Sequence, residues 1–527
     1  MNNKIMLKTM SAMLGASILL TATNTQAANW FKLRGTEPGG TSHTLQVWGF
    51  LQPRYVNDTS DEISGIPATL PNGAPAPVPL NGTVPTAGTL PRERTAQDGF
   101  YLRRARIGIR GTMLPINNDI DYFILTEWGQ NGVTSGGQNS SPGSGPQLLD
   151  ASVTLNHLSR GQDDNGLHNM GARIRVGQFL FSQTSESLSH STPGRRVHMF
   201  FPEATFFNAL GRRTFDNGNN NFPGARPVDA ARDIGIEIFD FTEFGNASSP
   251  YEFTYSVALG NGDTIGGGNQ DDNLKKYAWL SIGQLLDDTR GPRRHDWMLY
   301  AWWQNGDKEF NNDINNDGVP DSQAGPGGNF NPIAGSSAVC SAPGGAGGEG
   351  RLCRNGNEQD YEQTYLGYGF EYFDKPFKNA GQIRFNAEYQ KQYGFTFDGA
   401  NSPSSKFVTG VLHQATGGLN EGWYADIGYD IQQHLGISNR TTLNLRYDEF
   451  DRNKTNTSRA VHMETTTFTA EYFFHKKARL TLSYQMRDWD TSDRTGGPAL
   501  IGGQVLESID DRIGLELTFI FKNVLLR

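Results

Sequence analysis

Several things are scarce in this chain of 527 residues, and each scarcity removes a class of protein. Past the N-terminus no run approaches the ~20 consecutive apolar residues of a membrane-spanning helix. Hydrophobic residues make up 36% of the chain and the mean hydropathy is -0.54, which excludes a helical membrane protein. Cysteine occurs only at Cys340 and Cys353. No Cys-x-x-Cys-His is present, so covalent c-type haem is excluded, and two cysteines without a neighbouring histidine make a poor zinc site. Positive charge is in deficit, with 46 Lys and Arg against 55 Asp and Glu and a net charge of -9. A nucleic-acid binder would need a basic face. Catalytic signatures are absent too: no Gly-x-Ser-x-Gly, no His-Glu-x-x-His and no phosphate-binding glycine loop. Ser185, His190 and His198 share one stretch, but nearness in sequence is not a triad. The chain reads as a non-enzyme.

What is present begins with an address. Lys4 and Lys8 precede an apolar stretch around Met10 to Leu20, and Thr25-Gln26-Ala27 supplies a small-x-small cleavage pattern. These are the three parts of a Sec signal peptide in order, over residues 1–27. Its removal takes two lysines and no acid, moving the net charge from -9 to -11. An exported chain with two cysteines close together implies one local disulfide, Cys340–Cys353.

The stretch Gly99 to Gly111 sets the architecture. Read with period two, Tyr101, Ala105, Ile107 and Ile109 share one face, with Arg103 interrupting it, and Arg104, Arg106, Gly108 and Arg110 share the other. The same alternation recurs downstream. Ile234, Ile236 and Ile238 oppose Asp233, Gly235 and Glu237; Leu480, Leu482, Tyr484 and Met486 oppose Arg479, Thr481, Ser483, Gln485 and Arg487. Sixteen strands are predicted near 43–56, 98–112, 118–129, 147–157, 171–181, 231–241, 250–260, 274–286, 294–306, 360–374, 379–393, 420–433, 440–451, 462–475, 478–490 and 509–521, with a weak extra strand near 405–415 that would spoil the even count. Connections after even-numbered strands are short, as at 113–117 and 476–477. Those after odd-numbered strands are mostly long, as at 57–97, 182–230 and 307–359. A soluble sandwich has no reason to sort its loops by parity. A transmembrane antiparallel β-barrel over residues 28–527, with short periplasmic turns and long extracellular loops, predicts that sorting.

These residues also resemble a known family. Phe100-x-Leu102-Arg103-Arg104-Ala105-Arg106-x-Gly108-x-x-Gly111 is similar to the second-strand signature of the phosphate-selective porin O/P family. Asp119-x-Asp121-Tyr122, Arg175-Val176-Gly177-Gln178-Phe179, Arg232-Asp233-Ile234-Gly235 and Gly422-Trp423-Tyr424 follow in the family's order. The resemblance implies a sixteen-stranded outer-membrane barrel, usually a homotrimer, with a long loop folded into the pore and a lumen biased toward anions. The chain departs from that pattern in having no comparable lysine cluster and no terminal aromatic residue.

Face assignment puts Arg104, Arg106, Arg110, Arg173, Arg175, Arg384, Arg446, Arg479, Arg487 and Arg512 on the lumen side. Guanidinium groups suit transient contact with phosphate or carboxylate, and a row of weak sites permits conduction. The alternative is that they pair with Asp121, Glu127, Glu237, Glu388, Glu471 and Glu516 into a wall-stiffening mesh. The 182–230 connection carries Arg195, Arg196, Arg212 and Arg213 and is the expected constriction; alternatively it covers a neighbouring protomer. The long 305–360 loop holds Asp313, Asn315, Asp317 and Asp321 in D-x-N-x-D-G-x-x-D, the first half of a calcium loop without the twelfth-position Glu. It is read either as a structural calcium site or as an unliganded acidic turn. No other cofactor is implied. The expected function is a passive porin for small anions, phosphate or related oxyanions first, meeting outer-membrane lipid and lipopolysaccharide and binding no nucleic acid. Alternatives are a general or cation-leaning porin and, from another class, a secreted calcium-stabilised β adhesin.

Overall fold

Period-two alternation becomes structure when each strand finds two neighbours and each face one environment. The computed structural model describes residues 45–59, 98–113, 117–129, 147–161, 163–181, 184–185, 232–262, 274–287, 295–309, 360–375, 381–394, 396–397, 412–413, 419–436, 438–452, 454, 461–475, 477–490 and 510–526. The strands are β1 (Leu45–Asp58), β2 (Asp98–Met113), β3 (Asn117–Glu127), β4 (Gln147–Leu158), β5 (Ala172–Leu180), β6 (Arg232–Phe244), β7 (Tyr251–Gly260), β8 (Lys275–Leu285), β9 (Asp296–Glu309), β10 (Asp360–Asp374), β11 (Ile383–Gly394), β12 (Thr396–Phe397), β13 (Leu412–His413), β14 (Leu419–Asp430), β15 (Thr441–Arg452), β16 (Val461–His475), β17 (Ala478–Asp490) and β18 (Arg512–Leu526).

Sixteen of them close into one antiparallel barrel in sequence order, sealed where β18 returns to β1. Each predicted strand has its counterpart here, within a few residues at either end. The weak extra strand at 405–415 reduces to β13, which pairs with β12 in a separate two-stranded sheet. The even count therefore stands. Long and short connections alternate: 59–97, 181–231 and 310–359 leave one end of the barrel, while 114–116, 245–250 and 476–477 join strands at the other.

The two faces are chemically opposite. Ile234, Ile236, Ile238, Val257, Leu259, Leu480, Leu482, Ile513 and Leu515 point outward and are 36–49% exposed, each well away from any core. The residues between them point inward and are buried: Glu237, Ser256, Thr481, Ser483 and Glu516. Such a surface would be unfavourable in water and is matched to hydrocarbon.

β2 corrects one face assignment. Opposite β1, Gln52 pairs with Arg104 and Pro53 with Leu102, so Arg103 is an extra residue in the ladder. This bulge shifts the phase. Phe100 and Leu102 face outward below it in sequence, Ile107 and Ile109 above it, while Arg103 and Arg104 are both buried, at 8% and 1% exposure. The arginine that interrupted the apolar face does not meet lipid. A second irregularity sits in β5. Gly177 has φ of 128°, and a Cβ there would lie 2.2 Å from the Ala151 carbonyl oxygen. Only glycine satisfies both constraints. Just beyond it Gln178 Nε2 donates to the carbonyl oxygens of Leu148 and Leu149, at 2.8 and 3.0 Å, where the β4–β5 ladder has ended.

Candidate pore wall

The inward face is built from ion pairs set directly across the ladder. Arg106 lies opposite Glu127, Arg175 opposite Glu237, and Arg54 opposite Glu516. Their Nε–carboxylate distances are 2.7, 2.9 and 2.9 Å. Glu127 does more than pair: its other oxygen accepts the Ala105 and Gly129 backbone N–H groups at 2.8 and 3.0 Å. Glu237 likewise accepts from the Ser256 hydroxyl. Offset pairs complete the pattern. Arg487 donates to both oxygens of Asp58 at 2.9 Å, Arg479 lies 2.7 Å from Glu471, Arg446 2.7 Å from Asp448 and Arg232 3.2 Å from Asp150, while Arg384 meets Asp426. Arg173 lies 3.5 Å from Asp240. Arg110 and Arg512 donate to the Gln46 and Gln485 amide oxygens at 2.8 and 2.7 Å.

All of the strand arginines named in the sequence reading therefore point inward. Most of them also have a carboxylate against them, the mesh arrangement. Among the described residues, the buried part of the wall carries fifteen carboxylates and twelve Lys or Arg side chains. Arg195, Arg196, Arg212 and Arg213 lie outside the described residues, as do residues 1–27, the calcium candidates Asp313, Asn315, Asp317 and Asp321, and Cys340 and Cys353.

Two features of the wall escaped the sequence. Arg54, Arg103, Arg232 and Lys275 are buried in it as well. More consequentially, strands β8 to β10 turn aromatic side chains inward, and Trp279, Met298, Tyr300, Trp302 and Tyr365 form one cluster with Leu180. The Trp279 and Tyr300 rings stack 4.9 Å apart. At their edge Glu388 on β11 accepts from Trp302 Nε1 at 2.8 Å and from the Tyr300 and Tyr424 hydroxyls at 3.1 Å. The signal that could have found this arc was the unbroken apolar character of Tyr277 to Leu280, where both faces are large and hydrophobic.

The start of the 182–230 connection is visible and runs toward this arc. Phe181 stacks on Phe179 at 4.4 Å and reaches Tyr277 at 4.5 Å. Thr184 and Ser185 are buried at 4% and 0%, and the Ser185 hydroxyl bonds Glu371 on β10. β5 and β10 are five places apart around the barrel. Residues 186–230 lie outside the described residues.

The motif residues have local reasons for their identities. Arg175 lies over the rings of Phe179 and Phe239 at 4.4 and 5.3 Å, a cation–π arrangement. Asp233 accepts the backbone N–H groups of Ile234 and Gly262 and the Tyr277 hydroxyl. Arg446 lies 3.8 Å over the Tyr424 ring. These are wall-building contacts. On the outside, at the long-connection end, Glu449, Asp451 and His462 bring ligand atoms within 4.8 Å of one another. Lys454 and Glu464 already bond members of that group.

Comparison with known proteins adds shape alone. No protein-family model matches the chain, and no curated protein does. Among solved structures, the outer membrane channel DcaP of Acinetobacter baumannii is 12% identical, covering 92% of this chain and 99% of its own, with a TM-score of 0.44. OprB of Pseudomonas putida is 6% identical over 91% and 94%, at 0.45. OmpT of Vibrio cholerae is 10% identical over 90% and 97%, at 0.42. At these identities and scores the likenesses bear on neither solute nor assembly. The barrel's own geometry decides what can be said: it is a transmembrane β-barrel of the outer-membrane type.

Proposed function

We propose that the protein is an outer-membrane porin, exported by a signal peptide over residues 1–27, through which small hydrophilic solutes diffuse passively. The observation that carries this reading is the closed sixteen-strand barrel with an apolar outside and an ionised inside. That arrangement encloses most of the charged groups and presents a mainly apolar surface to lipid. The near balance of buried carboxylates and cations, most of them paired, favours general diffusion over strong selectivity by a free arginine ladder.

A second reading, small anions with phosphate or related oxyanions first, keeps a specific support. Arg103, Arg104, Arg106, Arg173, Arg175 and Arg232 gather on β2, β5 and β6, beside the connection that carries Arg195, Arg196, Arg212 and Arg213. In this reading that connection narrows the path, and its inward start at Ser185 is what supports it. The same proposal includes homotrimers in contact with lipopolysaccharide, a Cys340–Cys353 disulfide, and structural calcium at Asp313, Asn315, Asp317 and Asp321.

Reversal potential in a planar bilayer under a salt gradient separates the readings. A value near zero supports general diffusion. An anion-selective value that shrinks when Arg195 and Arg196 are replaced, and shrinks less when Arg512 is, supports the second. A chain that extracts as a soluble monomer and forms no conductance overturns both.

A further inference from the structure

At the long-connection end of β15 and β16, the outward face of the barrel changes from apolar to ligand-bearing. Glu449 and Asp451 lie two residues apart on β15 and share the outer face, because Phe450 between them turns inward and is buried. Met463 does the same between His462 and Glu464 on β16. Across the ladder, Asp451 lies opposite His462 and Glu449 opposite Glu464. Strand register therefore sets one imidazole and three carboxylates in a square on two neighbouring strands.

Three of these residues converge. One oxygen each of Glu449 and Asp451 and one ring nitrogen of His462 lie within 4.8 Å of one another. Solvent reaches them, since the His462 and Asp451 side chains are 36% and 24% exposed. Ligand distances of about 2.0–2.2 Å put tetrahedral donors roughly 3.4 Å apart around one ion, so small rotations of these side chains close the set. The surroundings match what metal ligands need. His462 Nδ1 lies 2.7 Å from Asp451 Oδ1, while Nε2 lies 3.3 Å from Glu464 Oε1. A carboxylate at the far ring nitrogen fixes the ring for an ion at the near one. Trp423 Nε1, from β14, donates to Glu449 Oε2 at 3.1 Å and orients that carboxylate. Lys454 Nζ donates to the other oxygen of Asp451 at 3.2 Å and also bonds Glu421. Each of the three converging side chains thus has its own outer partner.

Carboxylates alone attract hard cations loosely; an imidazole among them shifts the preference to borderline metal ions such as zinc. We propose that Glu449, Asp451 and His462 Nδ1 form a zinc site on the outer rim of the barrel, with Glu464, Trp423 and Lys454 as positioning residues. Binding exchanges a proton on the ring nitrogen for the ion and leaves a fourth position to water. The ion joins β15 to β16 at the end of their ladder, beside the last pair, Arg452 and Val461. The site faces away from the lumen and goes beyond the channel reading, so zinc binding and conductance are measured independently.

The test titrates the full-length protein, stripped with a chelator and held in detergent, with zinc alone, and uses cobalt as a coloured reporter of the ligands. His462→Ala should weaken zinc binding at least about tenfold and abolish the visible cobalt band of the wild type, and Glu464→Gln should weaken zinc about tenfold. His462→Gln serves the same purpose should the alanine variant misfold. Lys454→Met should bind zinc as tightly as the wild type or up to about fivefold more tightly, because it frees Asp451 from a surface ion pair. Zinc affinity equal in wild type and His462→Ala overturns the site. So does zinc displaced by an equal concentration of calcium, which marks an acidic patch only. A loss in Lys454→Met as large as that in His462→Ala also overturns it, since affinity then follows the rim's folding and not ligation.

Discussion

Two arcs of the inner wall face each other and are built on different principles. Around the closing seam, β16, β17, β18 and β1 present Thr465, Thr467, Thr469, Thr481, Ser483, Gln485 and Thr518, with the ion pairs Arg54–Glu516, Arg479–Glu471 and Arg487–Asp58 among them. β1 and β9 are eight places apart in the sixteen-membered ring. On that far side the wall is Trp279, Met298, Tyr300, Trp302 and Tyr365. The seam arc is held by paired charges whose directions are fixed by the ladder. The aromatic arc is held by ring packing, with glycines making room and a single carboxylate collecting the polar edges. Both arcs are buried, yet a change in one should fail differently from a change in the other.

The largest expected effect is on the charged side of the barrel. Glu127→Ala leaves the fully buried Arg106 guanidinium without its opposite charge and two backbone N–H groups without an acceptor. It should cost about 3–5 kcal/mol, read as a lowered midpoint for urea unfolding in detergent or lipid. On the aromatic side, Gly367→Ala drives a methyl into the Trp302 ring and should cost about 1–3 kcal/mol, read on the same urea-unfolding midpoint. The comparison sharpens with a double change. Arg106→Met with Glu127→Leu removes both charges, so its cost should fall well below that of Glu127→Ala. A double variant as damaged as the single one would show that backbone capping by Glu127, not charge pairing, holds this part of the wall.

The smallest effect belongs outside the wall. Lys454, in the connection between β15 and β16, bonds Glu421 and Asp451, and those two carboxylates push its pKa up from the ordinary lysine value to about 12. A raised value stabilises the fold fully below the ordinary lysine pKa, and that contribution is lost as pH rises through about 12. Lys454 is half exposed, at 48%, so solvent screens the pair and Lys454→Met should cost under about 1 kcal/mol, less again in high salt. A loss as large as that of Glu127→Ala would break the distinction between a buried and a rim pair.

How much of this was legible in the sequence depended on period. Rows such as Ile513, Leu515, Leu517 and Phe519 against Arg512, Gly514, Glu516 and Thr518 declare a strand and its two faces at once, and the strand count followed. Period fails where a residue is inserted, which is why Arg103 was placed on the wrong face. It is mute where both faces are large and apolar, as at Tyr277-Ala278-Trp279-Leu280, so the aromatic arc went unseen. Arginines could be placed on the inner face, but their partners could not, because Arg54 and Glu516 meet only through the register of β1 against β18.

The seam between β1 and β18 also bears on how the molecule comes to exist. The Arg54–Glu516 bond joins residues 462 positions apart, and every other contact between those two strands spans a comparable length of chain. Loop-closure entropy makes such a contact late. Until the last strand has been delivered, β1 keeps an open edge able to pair with any strand it meets. The chain must therefore be kept apart from its own kind throughout export, and a truncated product lacking β18 would be an aggregation hazard, not a smaller channel.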